Sequence, residues 1–96
     1  MAYFLLLYRT VPDYLEARGP HRKAHFKHAQ EAVAHGDLLL GGAYADPADG
    51  AALVFHCANR ELVELFAVQD PYVINGVVTH WEVREWTVVL GKDFAG

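Results

Sequence analysis

The sequence contains no serine, only one cysteine and no run of lysine or arginine. Because serine is missing, a hydrolase of the Ser-His-Asp type is excluded. The single thiol, Cys57, rules out an intrachain disulfide, and such sparse cysteine is typical of a reducing compartment. We therefore expect a cytoplasmic protein. Cys57 lies in an apolar run without a lysine or arginine beside it, which predicts an inert buried thiol.

Positive charge is also scarce, and the formal net charge is −4. Binding a phosphate backbone needs a clustered basic face, so nucleic acid is not expected as a partner. The apolar residues 1–8 are too few to span a bilayer, and they lack a charged leader or a cleavage pattern. A membrane is therefore not expected as a partner either.

Apolar residues, in contrast, are plentiful. They make up 53% of the 96 residues, which is enough for a hydrophobic core, and the length predicts a single domain over residues 1–96. A chain of this size buries only roughly 60–65% of its unfolded surface. Association of two copies would therefore add burial that one copy lacks.

Turn-forming residues divide the chain into predicted helices and strands. Pro20 suits the first turn of a helix over residues 21–35, and Gly36 is well placed as its left-handed stop. Asn59 is a suitable N-cap for a second helix. One face of this second helix carries the apolar residues Leu62, Leu65 and Phe66.

Runs of aromatic and aliphatic residues predict four strands, over residues 3–9, 38–44, 52–57 and 77–90. Together with the helices they follow the order β, α, β, β, α, β, which is the split βαβ pattern of ferredoxin-like domains. The sequence therefore predicts an α+β fold with a four-stranded antiparallel sheet and both helices on one face.

The second face of such a sheet should be polar, yet residues 3–8, 38–40 and 52–55 are apolar on both faces. The two helices cannot reach that second face, whereas a second copy of the same sheet can cover it in a symmetric homodimer. In the last strand, Trp81 and Val83 lie on one face and Trp86 and Val88 on the other. Either both faces are covered there, as we favour, or a bulge near residues 84–85 resets the alternation.

One residue of the first helix combines a partly buried position with acid–base chemistry. His25 lies at the edge of the apolar stripe of Phe26, Ala29 and Val33, one turn after Arg22. A histidine there can rest its ring against the sheet and keep one nitrogen in a crevice, where it can transfer protons at neutral pH. The alternative is a half-buried histidine bonded to a backbone carbonyl, and spacing alone does not decide between the two.

Histidines are also frequent on the neighbouring flank of that helix. His21 and His25, and likewise His25 and His28, have spacings that can place two imidazoles on one metal ion. No carboxylate or thiolate between them supplies a third ligand, and the HExxH motif is absent. We therefore expect no metal, and we expect His21, His28 and His35 to be solvated.

Three other positions can contribute polar groups. Asp70 precedes Pro71, which predicts the N-cap of a short helical turn ended by Gly76, and the same carboxylate can also orient an imidazole. The backbone at Gly42 can approach a ligand closely, or the glycine can mark a strand bend. Tyr72 can donate a hydrogen bond to a ligand or serve only in packing.

Four short segments, taken in order, resemble the YCII-related family: RKAHF at residues 22–26, GDLLLGG at 36–42, DPY at 70–72 followed by Gly76, and VREW at 83–86. The resemblance spans nearly the whole chain. It implies a ferredoxin-like fold that dimerises through its sheets into an α+β barrel. It also implies a site in which His25 pairs with Asp70 of the Asp-Pro motif, with Arg22 as the basic residue before the histidine.

These residues and the resemblance together predict a small-molecule enzyme that uses no cofactor. His25 would transfer protons, Asp70 would orient it, and Arg22, Gly42 and Tyr72 would bind the substrate, in an isomerisation or elimination on an anionic or aromatic-derived compound. The alternative is a non-catalytic module that binds a small ligand or a protein through the same cavity. The family often has a proline after the paired glycines or in the first residues of that loop, where this chain has Ala43, Tyr44 and Ala45, so the substrate cannot be transferred from relatives.

Overall fold

The computed structural model describes residues 1–94 and contains the predicted order of strands and helices. A 3₁₀ turn over Gly19–His21 precedes the first long helix, and no helix among the described residues is long and apolar enough to cross a membrane. The elements are β1 (Ala2–Thr10), α1 (Tyr14–Ala17), α2 (Arg22–Ala34), β2 (Leu38–Ala43), β3 (Gly50–Cys57), α3 (Arg60–Gln69), α4 (Pro71–Ile74) and β4 (Val78–Trp86).

The four strands form one antiparallel sheet in the order β2-β3-β1-β4. Strand β1 is central, so Leu6 lies opposite Leu53 of β3 on one side and opposite Val83 of β4 on the other. Helix α3 contacts β1, β3 and β4, whereas α2 contacts β2 and α4. The α+β ferredoxin-like fold predicted from the sequence is thereby confirmed.

The core lies between the sheet and α3. Alternate residues of β1 are buried, as the two-residue period of a strand requires. Leu6 is fully buried, and removing a side chain of this size from water contributes about 1.5–3 kcal/mol. The buried residues of β1 and α3 are Phe4, Leu6, Tyr8, Thr10, Val63, Phe66 and Ala67.

The prediction for the apolar face of α3 is wrong in part. Phe66 is buried as expected, but Leu62 and Leu65 are 40% and 50% exposed, whereas Val63 is buried. Apolar residues surround most of this helix, so the helical period alone allows two neighbouring stripes. The stripe that faces the sheet contains Val63, Phe66 and the following Asp70, at the spacing i, i+3 and i+7.

Local signals predicted the stop after α2 and the N-cap of α3 correctly. Gly36 follows α2 with a φ of +83°, a conformation that other residues rarely adopt. The side-chain oxygen of Asn59 accepts a hydrogen bond from the Leu62 amide at 3.2 Å and so caps α3. Helix α2 itself begins at Arg22 rather than at residue 21, because Pro20 belongs to the preceding 3₁₀ turn.

The last strand is shorter than predicted and ends at Trp86. Tyr3 pairs with Trp86 close to the start of β1, so little of β1 remains to pair with residues 87–90. The pairing runs without interruption through residues 84–85, and the irregularity lies instead between Arg9 and Thr10. The alternative of a bulge near residues 84–85 is therefore wrong.

The sheet face opposite the core has a half-exposed apolar strip on β1 and β3, and β4 adds the charged residues Glu82 and Arg84 opposite Leu7 and Leu5. Tyr3, Leu5 and Leu7 of β1 alternate with the buried residues, and Val54 of β3 pairs with Leu5 on the same face. Trp86, at the end of β4, is 45% exposed. We call these residues the half-exposed sheet face. The pairing of two copies through it stays a prediction.

Candidate active site

The side chain of Asp70 is the centre of the candidate site and is completely buried. Asp70 ends α3 and caps α4, because its Oδ1 accepts a hydrogen bond from the Tyr72 amide at 3.0 Å. Pro71 occupies the first position of α4, where its missing N–H leaves no bond unmade. The predicted N-cap is therefore confirmed. A buried carboxylate needs several donors, and this cap supplies one of them.

A tyrosine of the central strand supplies the second donor. The Tyr8 hydroxyl donates a hydrogen bond to Oδ2 of Asp70 at 2.7 Å, and Tyr8 is only 4% exposed. Burial above all, followed by the charge of Asp70 and this hydrogen bond, raises the pKa of Tyr8 far above its ordinary value. Tyr8 therefore remains protonated and acts as a donor at neutral pH.

The third donor is His25 of α2. Its Nδ1 lies 2.8 Å from Oδ1 of Asp70, across 45 residues of sequence. Because an ionised carboxylate only accepts hydrogen bonds, Nδ1 carries the proton and Nε2 keeps a lone pair. The His25 ring also stacks on the Tyr72 ring, with centroids 3.8 Å apart and planes 5° from parallel. These two contacts fix the tautomer and the orientation of the imidazole.

His25 lies in the wall of a cavity of about 390 Å³ bounded by α2, β2 and α4. The His25 side chain is 15% exposed, so it is accessible from this cavity. The volume is within the range of roughly 300–1,000 Å³ that small-molecule sites occupy. Four of the five predicted site residues line the cavity: Arg22, His25, Gly42 and Tyr72. The fifth, Asp70, lies behind His25.

Gly42 contributes backbone to the cavity wall. A Cβ at Gly42 would meet no atom within 4 Å, so space does not require a glycine there. A Cβ at Gly41 would lie 3.1 Å from Cγ of Leu53, which is a tight contact. The most restricted glycine of the sheet is Gly50, whose Cβ would lie 2.5 Å from the carbonyl oxygen of Tyr8. The sequence places Gly50 in a turn and gives no sign of this close approach.

A model of the YCII-related domain matches residues 1–87. The chain belongs to the YCII-related family. The resemblance seen in four short segments of the sequence is thereby confirmed. No curated protein matches this YCII-related chain in sequence.

Among solved structures, this YCII-related chain is similar to the 5-chloro-2-hydroxyhydroquinone dehydrochlorinase TftG from Burkholderia phenoliruptrix AC1100, in a complex with 2,5-dihydroxybenzoquinone. The match has a TM-score of 0.76 and covers 96% of this chain and 98% of that chain, at 21% sequence identity. The two chains therefore share a fold over nearly their full lengths.

The histidine one turn after His25 in the YCII-related chain contacts α3 and not Asp70. His28 is not solvated as predicted, because its Nε2 lies 2.9 Å from the Phe66 carbonyl oxygen and its ring stacks on Phe66 at 4.3 Å. This flank of α2 faces α3, which the sequence of α2 alone does not indicate. Within residues 1–94, no group of three or more His, Cys, Asp or Glu side chains is placed to hold a metal ion.

Two residues of the site in this YCII-related chain are missing from the prediction. Tyr8 shares a face of β1 with the buried Phe4 and Leu6, and this alternation is the signal that predicts a buried hydroxyl in need of a partner. Arg18 also lines the cavity, and its guanidinium lies 5.0 Å from the centroid of the Tyr14 ring. Arg18 follows α1, where no local pattern distinguishes it from a solvated arginine.

Proposed function

We propose that this chain is an enzyme that transfers protons on a small molecule without a cofactor, with His25 as its general base and general acid. The hydrogen-bonded series from Tyr8 through Asp70 to His25 supports this proposal, because it holds one imidazole nitrogen and leaves the other towards the cavity. In this mechanism Asp70 keeps His25 in the reactive tautomer and stabilises the imidazolium that forms.

The chemistry starts from the neutral imidazole. Nε2 of His25 removes a proton from an acidic C–H bond of the substrate, and the electron pair of that bond forms a C=C double bond. In an elimination, the group on the adjacent carbon leaves with its bonding electrons. In an isomerisation, an existing double bond shifts and His25 returns the proton to a different carbon. General acid–base catalysis of this kind typically contributes about 10²–10⁴-fold.

Substrate binding is assigned to Arg22, to the backbone at Gly42 and to Tyr72, which line the same cavity as His25. The Arg22 guanidinium lies 4.7 Å from the centroid of the Phe26 ring, so a cation stands beside apolar surface. This combination suits a small anionic or aromatic-derived compound. TftG is a dehydrochlorinase, which is an enzyme of elimination, and the shared fold makes an elimination the first reaction to test.

We also propose that two copies of the chain associate through the half-exposed sheet face. Leu5, Leu7 and Val54 form an apolar strip along its centre. A chain of 96 residues buries a modest share of its surface alone, so covering this strip adds stability. The expected location in the cytoplasm rests on the single cysteine.

A proton-exchange assay tests the catalytic role. Unsaturated acids and hydroxyquinones with acidic C–H bonds are incubated with the protein in D₂O, and ¹H NMR measures exchange and turnover. We expect His25→Gln to slow the reaction by about 10²-fold or more, because the base is lost. Asp70→Asn should slow the reaction less than His25→Gln does, since it keeps the imidazole base and removes only the charge that stabilises the imidazolium. His35→Gln is the matched control, because His35 is exposed at the end of the same helix.

The outcomes separate the two classes of function. Exchange that continues at the wild-type rate in His25→Gln would contradict the proposal. A ligand that binds wild type and His25→Gln equally, and is recovered unchanged from both, would support a non-catalytic module that binds a small ligand or a protein.

A further inference from the structure

Two buried hydroxyl groups in the cavity wall lack a hydrogen-bond partner. The Tyr72 hydroxyl and Oγ1 of Thr10 are both buried, and neither forms a hydrogen bond within the part of the chain that the structure describes. Both residues line the cavity that contains His25. A buried hydroxyl without a partner costs free energy, and folded proteins nearly always satisfy it with protein, water or ligand. These groups are therefore available to a molecule bound in the cavity.

Two arginines line this cavity close to Tyr72. Burial, and after it Tyr14, raises the pKa of Tyr72, whereas the charges of Arg22 and Arg18 and a polar approach of the Arg22 guanidinium to its hydroxyl lower it. Arg18 lies against the ring of Tyr14 and Arg22 against the ring of Phe26. Over residues 1–94 the one side-chain ion pair is the His–Asp pair of the site, so neither arginine is neutralised by a carboxylate.

The charge and the shape of the cavity restrict the ligand. Two guanidinium groups that have no carboxylate partner within residues 1–94 favour an anion, and their planar donors match the two oxygens of a carboxylate. The remaining wall is mostly apolar and leaves room for a hydrocarbon body. Its apolar side chains include Phe26, Val33, Leu38, Leu53 and Val78.

We propose that Arg18 and Arg22 bind the carboxylate of a small unsaturated or aromatic monocarboxylic acid, with the Tyr72 hydroxyl as an additional donor. These three residues form the carboxylate site. The inference rests on the proposed function and names its class of substrate. Because Tyr72 stacks on His25, a carboxylate bound at the Tyr72 hydroxyl keeps the hydrocarbon body of the ligand beside the imidazole. Arg18 is thereby a determinant of substrate specificity.

Binding of trans-cinnamate tests the carboxylate site, with trans-cinnamamide as a neutral probe of nearly the same shape. Isothermal titration calorimetry measures the Kd of both for wild type, Arg18→Gln and Arg22→Gln. We expect wild type to bind cinnamate at least about tenfold more tightly than the amide, because hydrogen bonds to charged groups are the stronger ones. Each arginine variant should weaken cinnamate binding by about tenfold and leave amide binding nearly unchanged.

Two further variants separate binding from folding. Tyr72→Phe should weaken cinnamate binding without lowering the melting temperature of the unliganded protein, because no group of residues 1–94 forms a full hydrogen bond with the hydroxyl that it removes. Lys23→Gln is the matched control for charge, since Lys23 is exposed on the same helix and does not line the cavity. It should bind cinnamate as wild type does.

Equal binding of acid and amide, no binding of either, or an equal loss in Lys23→Gln and Arg18→Gln overturns the inference. Tighter binding of phenyl phosphate than of cinnamate assigns the arginines to a phosphoryl group and overturns it as well. The test is independent of catalysis. Cinnamate binding that persists in His25→Gln, combined with unchanged proton exchange in that variant, rejects the proposed function and retains the carboxylate site.

Discussion

Replacing Tyr8 with phenylalanine removes one hydroxyl group and leaves the ring in the core. That hydroxyl donates a 2.7 Å hydrogen bond to Asp70, whose side chain is fully buried. Hydrogen bonds to charged groups contribute about 1.5–3 kcal/mol, and the buried carboxylate oxygen gains no other donor. We therefore expect Tyr8→Phe to lower the free energy of unfolding at pH 7 by this amount. For a domain of this length the melting temperature should fall by roughly 6–24 °C.

The difference in the free energy of unfolding between wild type and Tyr8→Phe should shrink in alkaline solution. The pKa of Tyr8 is raised in the folded protein from an ordinary value of 10.0. Below pH 10, Tyr8 is protonated in both states and its stabilising contribution is complete. Between pH 10 and the higher pKa of the folded state, only the unfolded chain releases this proton, so wild type loses about 1.4 kcal/mol per pH unit from this group. Tyr8→Phe has no hydroxyl proton to release at this position, so its stability does not decrease for this reason.

Urea denaturation followed by tryptophan fluorescence, from pH 7 upwards in steps to about pH 11, measures both effects. Tyr3→Phe is the matched control, because Tyr3 lies on the same strand but on the half-exposed sheet face. Burial also raises the pKa of Tyr72 and of Cys57, but wild type and variant share these groups, so they cancel in the difference. Two results would refute the bond between Tyr8 and Asp70. One is an equal free energy of unfolding for wild type and Tyr8→Phe at pH 7, and the other is a difference between them that stays constant above pH 10.

Two further predictions concern the sheet. Gly50→Ala should lower the free energy of unfolding by about 1–3 kcal/mol, because its Cβ would lie 2.5 Å from the carbonyl oxygen of Tyr8. Thermal melts compare Gly50→Ala with the control Gly42→Ala, whose added Cβ has open space. Equal melting temperatures of the two variants would contradict this prediction. Val54→Lys introduces a charge at the centre of the half-exposed sheet face and should give a monomer in sedimentation velocity. Leu15→Lys, at an exposed position of α1, should remain a dimer, and a dimeric Val54→Lys would argue against the interface.

Features that depend on a few neighbouring residues could be predicted from the sequence. Gly36 and Asn59 end and begin helices as expected, because a left-handed glycine and a side-chain cap act within one turn. Cys57 is buried as its apolar run indicates. The order of strands follows from the order of elements, since short connections leave few topologies to a chain of this size.

Features that depend on how elements pack could not be predicted in the same way. His25 and Asp70 are joined by the fold, and only the family resemblance paired them in the sequence. The contact of His28 with α3 depends on the rotation of α2, and the buried stripe of α3 depends on where the sheet lies. The bond from Tyr8 depends on the depth at which β1 passes beneath the C-terminal end of α3. Neither the rotation of a helix nor the depth of a strand can be recognised from a local sequence pattern.

Helix α2 carries His25 yet has no buried residue of its own. Within residues 1–94, the side-chain hydrogen bonds that join α2 to distant parts of the chain are the one from His25 to Asp70 and the one from His28 to the carbonyl of Phe66. An element with so little buried surface opens more often than the strands of a central sheet. We expect such local opening to give ligands a route into the cavity. The contacts that orient the imidazole would then also govern how often the cavity exchanges its contents with solvent.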